Sequence, residues 1–256
     1  MSMSDTHIPP FPADRPDRSR RRPSRRPAPE TRLKVVEEDE DYLVIDKPAG
    51  LLSIATDKEN TRTAFRIVSD MVKRRDPRNR IFVVHRLDRE TSGLMLFAKS
   101  QEAQSAIQHH WKSHILRRRY ITIVEGKMQT GDGSGYGVIR SYLRESKARM
   151  VYSSPNPRNG VPAVTHYHIL YASERYSMLS CELETGRKNQ IRVQLQGIGH
   201  PVAGDLKYGG QPTPMHRLAL HAFELSFTNP RTGKSHHLIS PLPDSFYLLD
   251  DFPQIG

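Results

Sequence analysis

Residues 85–93 read His-Arg-Leu-Asp-Arg-Glu-Thr-Ser-Gly and lie between two apolar stretches. They gather two carboxylates (Asp88, Glu90), two guanidiniums (Arg86, Arg89), an imidazole (His85) and two hydroxyls (Thr91, Ser92). A core strand does not hold that many polar groups, because each one taken out of water needs a partner. The segment therefore reads as a loop held between buried strands, where reactive groups are commonly placed. An aspartate in such a loop is disfavoured as an anion by burial and favoured by a neighbouring guanidinium. While ionised it can act as a nucleophile or stabilise a positive centre. On local pattern alone, a well hydrogen-bonded turn is the better reading of the stretch.

A second stretch, Thr185, Gly186, Arg187, Lys188, Asn189, Gln190, Ile191 and Arg192, reads as a strand end, a glycine turn and a helix start. Cations at a helix N-terminus oppose the macrodipole slightly, which points to an anionic partner nearby. A third, residues 199–210, is dense in Gly and Pro and reads as shaped loop, with little to say about function by itself. Three weaker signals are set aside. His109, His110 and His114 lack HExxH spacing and an acidic ligand in register, so they read as helix surface and partial core. Residues 131–135 are Gly-rich but lack the Lys-Ser/Thr of a phosphate loop. The His-Arg-Leu-Asp string resembles a kinase catalytic loop, yet its companion Gly-rich loop and Asp-Phe-Gly are absent. Trp111 reads as a core anchor.

The elements that must position these groups follow from periodicity. Residues 33–37 and 42–47 read as short strands around an acidic turn. Ala64, Ile67, Val68, Met71 and Val72 form a helical stripe over 63–75 that stops before Pro77. Strands are expected at 81–84 and 94–98, then a helix capped by Ser100 and running to about 116. Further strands fall at 120–124, 138–143, 148–152, 163–170 and 176–183, with a helix at 189–198 whose face is Ile191, Leu195 and Ile198. Phe223, Leu225 and Phe227 alternate, and a last strand lies at 236–240. Runs of strands with few inserted helices predict α+β with a central mixed, largely antiparallel sheet flanked by helices and loops.

The 256 residues carry 39 Lys+Arg against 28 Asp+Glu, a net charge of +11. Nine of the basic and four of the acidic side chains fall in residues 1–34, together with seven prolines. Residues 1–32 are therefore expected to be a disordered Arg/Pro-rich arm, either a phosphate-contacting tether or a solvated tail. The basic remainder favours a polyanion. One cysteine, Cys181, cannot build a disulfide framework or a thiolate metal cage. No apolar run reaches the ~20 residues of a membrane span and no secretory signal is visible, so a cytoplasmic protein is expected.

Taken together, the three stretches resemble the RluA-type family of RNA pseudouridine synthases. HRLDxxTSG stands complete at 85–93, followed by the apolar strand from Leu94. Lys-Pro-x-Gly matches Lys47, Pro48, Ala49 and Gly50; RRxY-strand-Gly matches Arg118, Arg119 and Tyr120 through Gly126. TGRxxQIR matches 185–192, GHPxxGDxxYG matches 199–209 and LALHA matches 218–222, so the resemblance spans about 33–241, all in order. It implies a pseudouridine-synthase-like catalytic domain over 33–256 without an S4-type domain. It further implies isomerisation of uridines in structured RNA (rRNA or tRNA). Asp88 would be the catalytic carboxylate, Tyr120 the ring that stacks on the target base, and Arg192 a bidentate partner of Asp88. Arg86 would help hold the extruded nucleotide, and His85, Arg187, Lys47, Arg118 and Arg119 would bind RNA. No cofactor or metal, a monomer and an RNA partner are expected. The alternative is a non-catalytic RNA-binding or RNA-folding module on the same scaffold; the intact trio argues against it. Asn189 and Gln194 stand where the family often has His, which sets the chain apart as to substrate.

Overall fold

A computed structural model describes residues 33–56, 62–109, 111–154, 156–250 and 252; the expected arm, 1–32, lies outside them. Strands β1 (Lys34–Glu38) and β2 (Tyr42–Lys47) form a hairpin whose turn is closed by the Asp39 carboxylate accepting the N–H groups of Asp41 and Tyr42 at 2.8 and 2.6 Å. Helix α1 (Ala64–Arg75) starts at Thr63, whose hydroxyl accepts the Arg66 N–H at 3.1 Å, and it buries Val68 and Val72. Strands β3 (Phe82–Val83) and β4 (Ser92–Ala98) flank the 85–91 loop, and all seven residues of β4 are buried. Then come α2 (Gln101–His109), α3 (Trp111–His114), β5 (Ile115–Glu125), β6 (Tyr136–Glu145) and β7 (Val151–Ser154). The chain continues as β8 (Val161–Ala172), β9 (Tyr176–Leu183), α4 (Gln190–Gly197), β10 (Leu220–Thr228) and β11 (Ser235–Ile239).

The strands make one sheet in the order β1-β2-β4-β10-β5-β9-β8-β6-β7, with β11 on β10 and β3 on β4. Only β4–β10 is parallel, so the sheet is mixed and largely antiparallel, as expected. Alternate β2 and β4 residues feed two cores. Leu43, Ile45, Met95 and Phe97 pack with Val68 and Val72 of α1. Tyr42, Val44, Leu94 and Leu96 pack with Ala103 and Ile107 of α2.

The parallel contact is confined to Ser92↔His221 and Gly93↔Ala222, and Ala222 is in turn opposite Tyr120 of β5. Gly93 has φ 108°, and a Cβ there would lie 2.2 Å from the Ala222 carbonyl oxygen. Only glycine lets the backbones meet so closely. The seam therefore sets the 85–91 loop, just upstream of β4, beside Tyr120.

Several expected boundaries move. The helix expected to reach 116 gives way at Ile115, because Ile115, Arg117 and Arg118 pair with Phe227, Ser226 and Leu225 of β10; sheet pairing outweighs the helical periodicity. The strand expected from 148 begins at Val151, because Arg149 takes φ 60° in a turn closed by its N–H on the Ser146 carbonyl. Ile198 follows the last residue of α4 and is 42% exposed, off the core face that Ile191 and Leu195 form. Phe223 joins the first core and Leu225 and Phe227 the second, because a bulge between Ala222 and Glu224 shifts the alternation.

Candidate active site

The 85–91 loop is held by its backbone. Leu87 is buried in the first core, which stabilises by ~1.5–3 kcal/mol. The Ser53 hydroxyl donates to the Leu87 carbonyl at 2.6 Å and accepts the Leu87 N–H at 3.1 Å. Lys47 is wholly buried at the end of β2, where its ammonium donates to the carbonyls of Pro48, Leu51 and Arg89 at 2.9, 2.8 and 3.0 Å. Lys47 was expected to meet RNA. Its burial and its three carbonyl partners instead make it a strut of the loop. Burial pulls its pKa down to about 7, against the opposing pull of Glu90.

Strand β5 sorts its side chains by alternation. Tyr120 and Arg118 point into a cleft; Arg118 lies over the Trp111 ring, 4.9 Å from its centroid. Trp111 packs against the second core and also forms cleft wall. Arg119, expected with Arg118 on the RNA side, faces the other way. It is buried, ion-paired with Glu224 and set 5.4 Å from the Phe223 ring centroid. His85, expected to bind RNA, lines the cleft. Its Nε2 accepts the Leu96 N–H at 3.2 Å, and burial together with Arg118 pushes its pKa down to about 3, so it lines the cleft as a neutral ring.

Helix α4 supplies the opposite wall. Asn189 precedes it at φ 54°, a left-handed conformation that Asn tolerates better than most residues. The Gln190 carboxamide accepts from the Arg187 N–H at 3.0 Å and donates to the Val164 carbonyl at 3.0 Å, tying the 185–188 turn to β8. Gln194 is not at the site at all. Its amide donates to the Ile139 and Ala163 carbonyls at 3.2 and 3.0 Å, fastening α4 to β6 and β8. Asn189 is at the site: its Oδ1 accepts from Arg192 at 3.2 Å, and its Nδ2 donates to the Tyr208 hydroxyl at 2.9 Å.

Arg192 faces Asp88, but not in the bidentate pair expected from the sequence. Its Nε and Nη2 both donate to the Asp205 carboxylate at 2.7 Å, while Nη1 lies 3.8 Å from Asp88 Oδ2. The reason is burial. Asp205 is 2% exposed and sits in a tight loop, so it takes the guanidinium's fork, whereas the Asp88 side chain keeps 26% exposure to the cleft. The Asp88 pKa is raised by burial, against Arg192, the Asn189 N–H, Lys207 and Lys47, which all favour the anion. Tyr120 is raised as well, chiefly by burial, so its phenol stays protonated.

Asp205 went unrecognised in the sequence. It stands as the Asp of the GHPxxGDxxYG element, but nothing local names its partner. The completed cleft is about 720 Å³. Asp88 and Tyr120 line it, with Arg86, Arg118, Arg187, Lys188 and Arg192 around them. Arg86, Arg187 and Lys188 are exposed. That volume falls within the ~300–1,000 Å³ typical of small-molecule sites. Among the described residues, no three His, Cys, Asp or Glu converge as a metal-binding group, and no helix is long and apolar enough to cross a membrane.

Comparison with known proteins agrees with this geometry. The sequence profile of the family described as RNA pseudouridylate synthase matches residues 41–197. The chain is 35% identical over 226 residues to the ribosomal large subunit pseudouridine synthase D of Nitrosomonas europaea, covering 85% of this chain and 64% of that protein. It is also 35% identical to YlyB of Bacillus subtilis, an uncharacterized RNA pseudouridine synthase, covering 83% of this chain and 70% of that one. The fold is shared with the human RNA pseudouridylate synthase domain containing 4, with a TM-score of 0.66 at 21% identity over 83% of this chain and 89% of that one. The cleft, its motifs and these likenesses converge: the chain belongs to the RNA pseudouridylate synthase family, as its resemblance to the RluA-type members implied.

Proposed function

We propose that this protein isomerises specific uridines in structured RNA to pseudouridine, with Asp88 as the catalytic carboxylate. The observation that carries the reading is a partly exposed Asp88 carboxylate in a basic cleft, 3.8 Å from Arg192 and lined on one side by Tyr120. In the reaction the bond between uracil N1 and the sugar C1′ breaks and a bond from C5 to C1′ forms. The C5 proton leaves and N1 gains one, so no net oxidation occurs. Asp88 acts in its ionised form on the sugar, and Arg192 and the Asn189 N–H favour that form against burial.

The target base has to leave its stack, at a cost of a few kcal/mol. Stacking on Tyr120 offsets ~1–3 kcal/mol of this. Arg86, Arg118, Arg187 and Lys188 suit phosphate contacts at the rim. Several relatives bear the name of a large-subunit ribosomal enzyme, so rRNA is the first substrate to test, ahead of tRNA. A cytoplasmic monomer that needs no cofactor completes the proposal.

The test is tritium release from RNA carrying 5-tritiated uridine. The native protein releases tritium and the Asp88→Ala variant releases none, while RNA binding by that variant largely survives. Release by Asp88→Ala rejects the assignment. RNA binding by the native chain with no release favours the non-catalytic module.

A further inference from the structure

The geometry points to Asp205 as a positioning residue for this reaction: by holding the fork of Arg192, it keeps that guanidinium at a stand-off from Asp88. This rests on the reading of Asp88 given above. Three contacts fix Arg192. Asp205 receives two hydrogen bonds of 2.7 Å, Asn189 Oδ1 receives one of 3.2 Å, and the Tyr208 ring lies under the guanidinium, 4.9 Å from its centroid. The loop that carries Asp205 is itself closed by backbone bonds: the Tyr208 and Gly210 N–H groups donate to the Asp205 carbonyl at 3.1 and 2.9 Å. Gly204 has φ 77°, and a Cβ there would meet the Arg217 carbonyl at 2.2 Å, so the loop has little room to shift.

The stand-off matters because a carboxylate gripped by a full guanidinium fork is stable and poorly reactive, while one without any cation nearby protonates in a dry site. At 3.8 Å from one Nη, Asp88 has a cation near enough to favour its charge and keeps its oxygens open to the sugar. The charged and titratable groups around Asp88 are Arg192 from α4, Lys207 from the 199–210 loop, Lys47 from β2 and Tyr120 from β5. Asp205 acts on Asp88 through the first of these. The GHPxxGDxxYG stretch, whose composition alone says little about function, thereby acquires a task.

Asp205→Asn tests it. An amide offers Arg192 one acceptor oxygen and no charge, so the guanidinium closes on Asp88. The expected result is a kcat about 10–100-fold lower, the scale of a small misplacement of reacting groups, with KM within about twofold of the native value. The acid limb of the pH–rate profile also moves to lower pH by roughly one unit, as for a carboxylate gaining a closer cation. Asp205→Glu keeps the charge and displaces the fork; it should lower kcat and leave the limb in place. A merely structural Asp205 predicts lower thermal stability with native kcat per folded molecule and an unmoved limb, which overturns the proposal. So does a limb that moves to higher pH, because Arg192 has then left Asp88 altogether. If Asp205→Asn does not fold, Asp205→Glu decides: lowered kcat with native KM supports the stand-off, and native kcat overturns it. Native protein and Asp88→Ala are assayed alongside. An inactive native chain or an active Asp88→Ala defeats the reading of Asp88 itself, which is a different failure.

Discussion

Two buried basic side chains near Asp88, Lys47 from β2 and Arg192 from α4, have different tasks. Lys47, at the end of β2, gives its three donors to backbone carbonyls, and burial pulls its pKa down to about 7. Arg192, in the first turn of α4, has a carboxylate partner; burial pulls its pKa down, but Asp205, with Asp88 and Tyr208, outweighs this and the balance is upward. An ammonium is a compact point charge that suits three converging carbonyls and loses its proton readily when buried; a planar guanidinium keeps its charge and can serve one carboxylate with its fork and face a second with its remaining edge. The β2 side therefore uses a cation to shape a loop, and the α4 side uses one to shape the electrostatics of that loop's aspartate.

Replacing Arg192 is the hardest test of that contrast. Arg192→Ala leaves Asp205 buried without its partner, which costs about 3–5 kcal/mol. It also removes the nearest cation from Asp88, so turnover per folded molecule should fall by about 10²–10³-fold, the scale seen when one oriented charge-stabilising donor is lost. The checks are chemical denaturation and single-turnover tritium release on the same preparation. Native turnover from whatever folds would make Arg192 a structural cation like Lys47 and erase the distinction.

Lys47→Met is the matching test on the other side. It strands three carbonyls in the loop, so stability falls by about 1–3 kcal/mol, while RNA affinity and its salt dependence stay native because the ammonium never meets RNA. The pH dependence has a definite sign. Between the buried value of about 7 and the ordinary 10.5, the unfolded chain holds a proton that the folded chain lacks. Stability therefore rises with pH through that window. Denaturant unfolding at pH 7 and pH 9 should show that rise in the native protein and a flatter response in Lys47→Met. An equal slope in both would mean that Lys47 stays charged.

These contrasts mark where sequence is informative. The HRLDxxTSG loop and the α+β sheet follow from motif and alternation, which are local; the placing of Tyr120 beside the β4–β10 seam rests on pairings across more than a hundred residues. The fate of a cation is not local. Lys47, Arg118, Arg119 and Arg192 look alike in a basic sequence, and only strand alternation and distant acids separate them. Arg119 turns to Glu224, more than a hundred residues away in the chain, and Arg192 to Asp205 across a loop of irregular backbone. The helix expected to reach 116 was lost for the same reason: the strand partner that claims Ile115 to Arg119 is β10, which periodicity in a short window cannot see.

The smallest effect separates the cations of the rim from those of the interior. Arg187 is exposed at the cleft wall, and its Nε donates only to the Pro162 carbonyl at 3.2 Å among the contacts described. Arg187→Ala should leave stability within about 0.5 kcal/mol of native. It should weaken RNA binding and make the slope of log K against log salt shallower by about 0.7–0.9, the share of one phosphate contact. Arg119→Ala is the mirror image, because its loss exposes Glu224 as a buried charge without that partner: stability drops and the salt slope stays. Filter-binding titrations of both variants across a range of salt settle which cations touch phosphate. If the two slopes change alike, burial does not sort the arginines by task, and the division between shaping and binding cations fails at its simplest point.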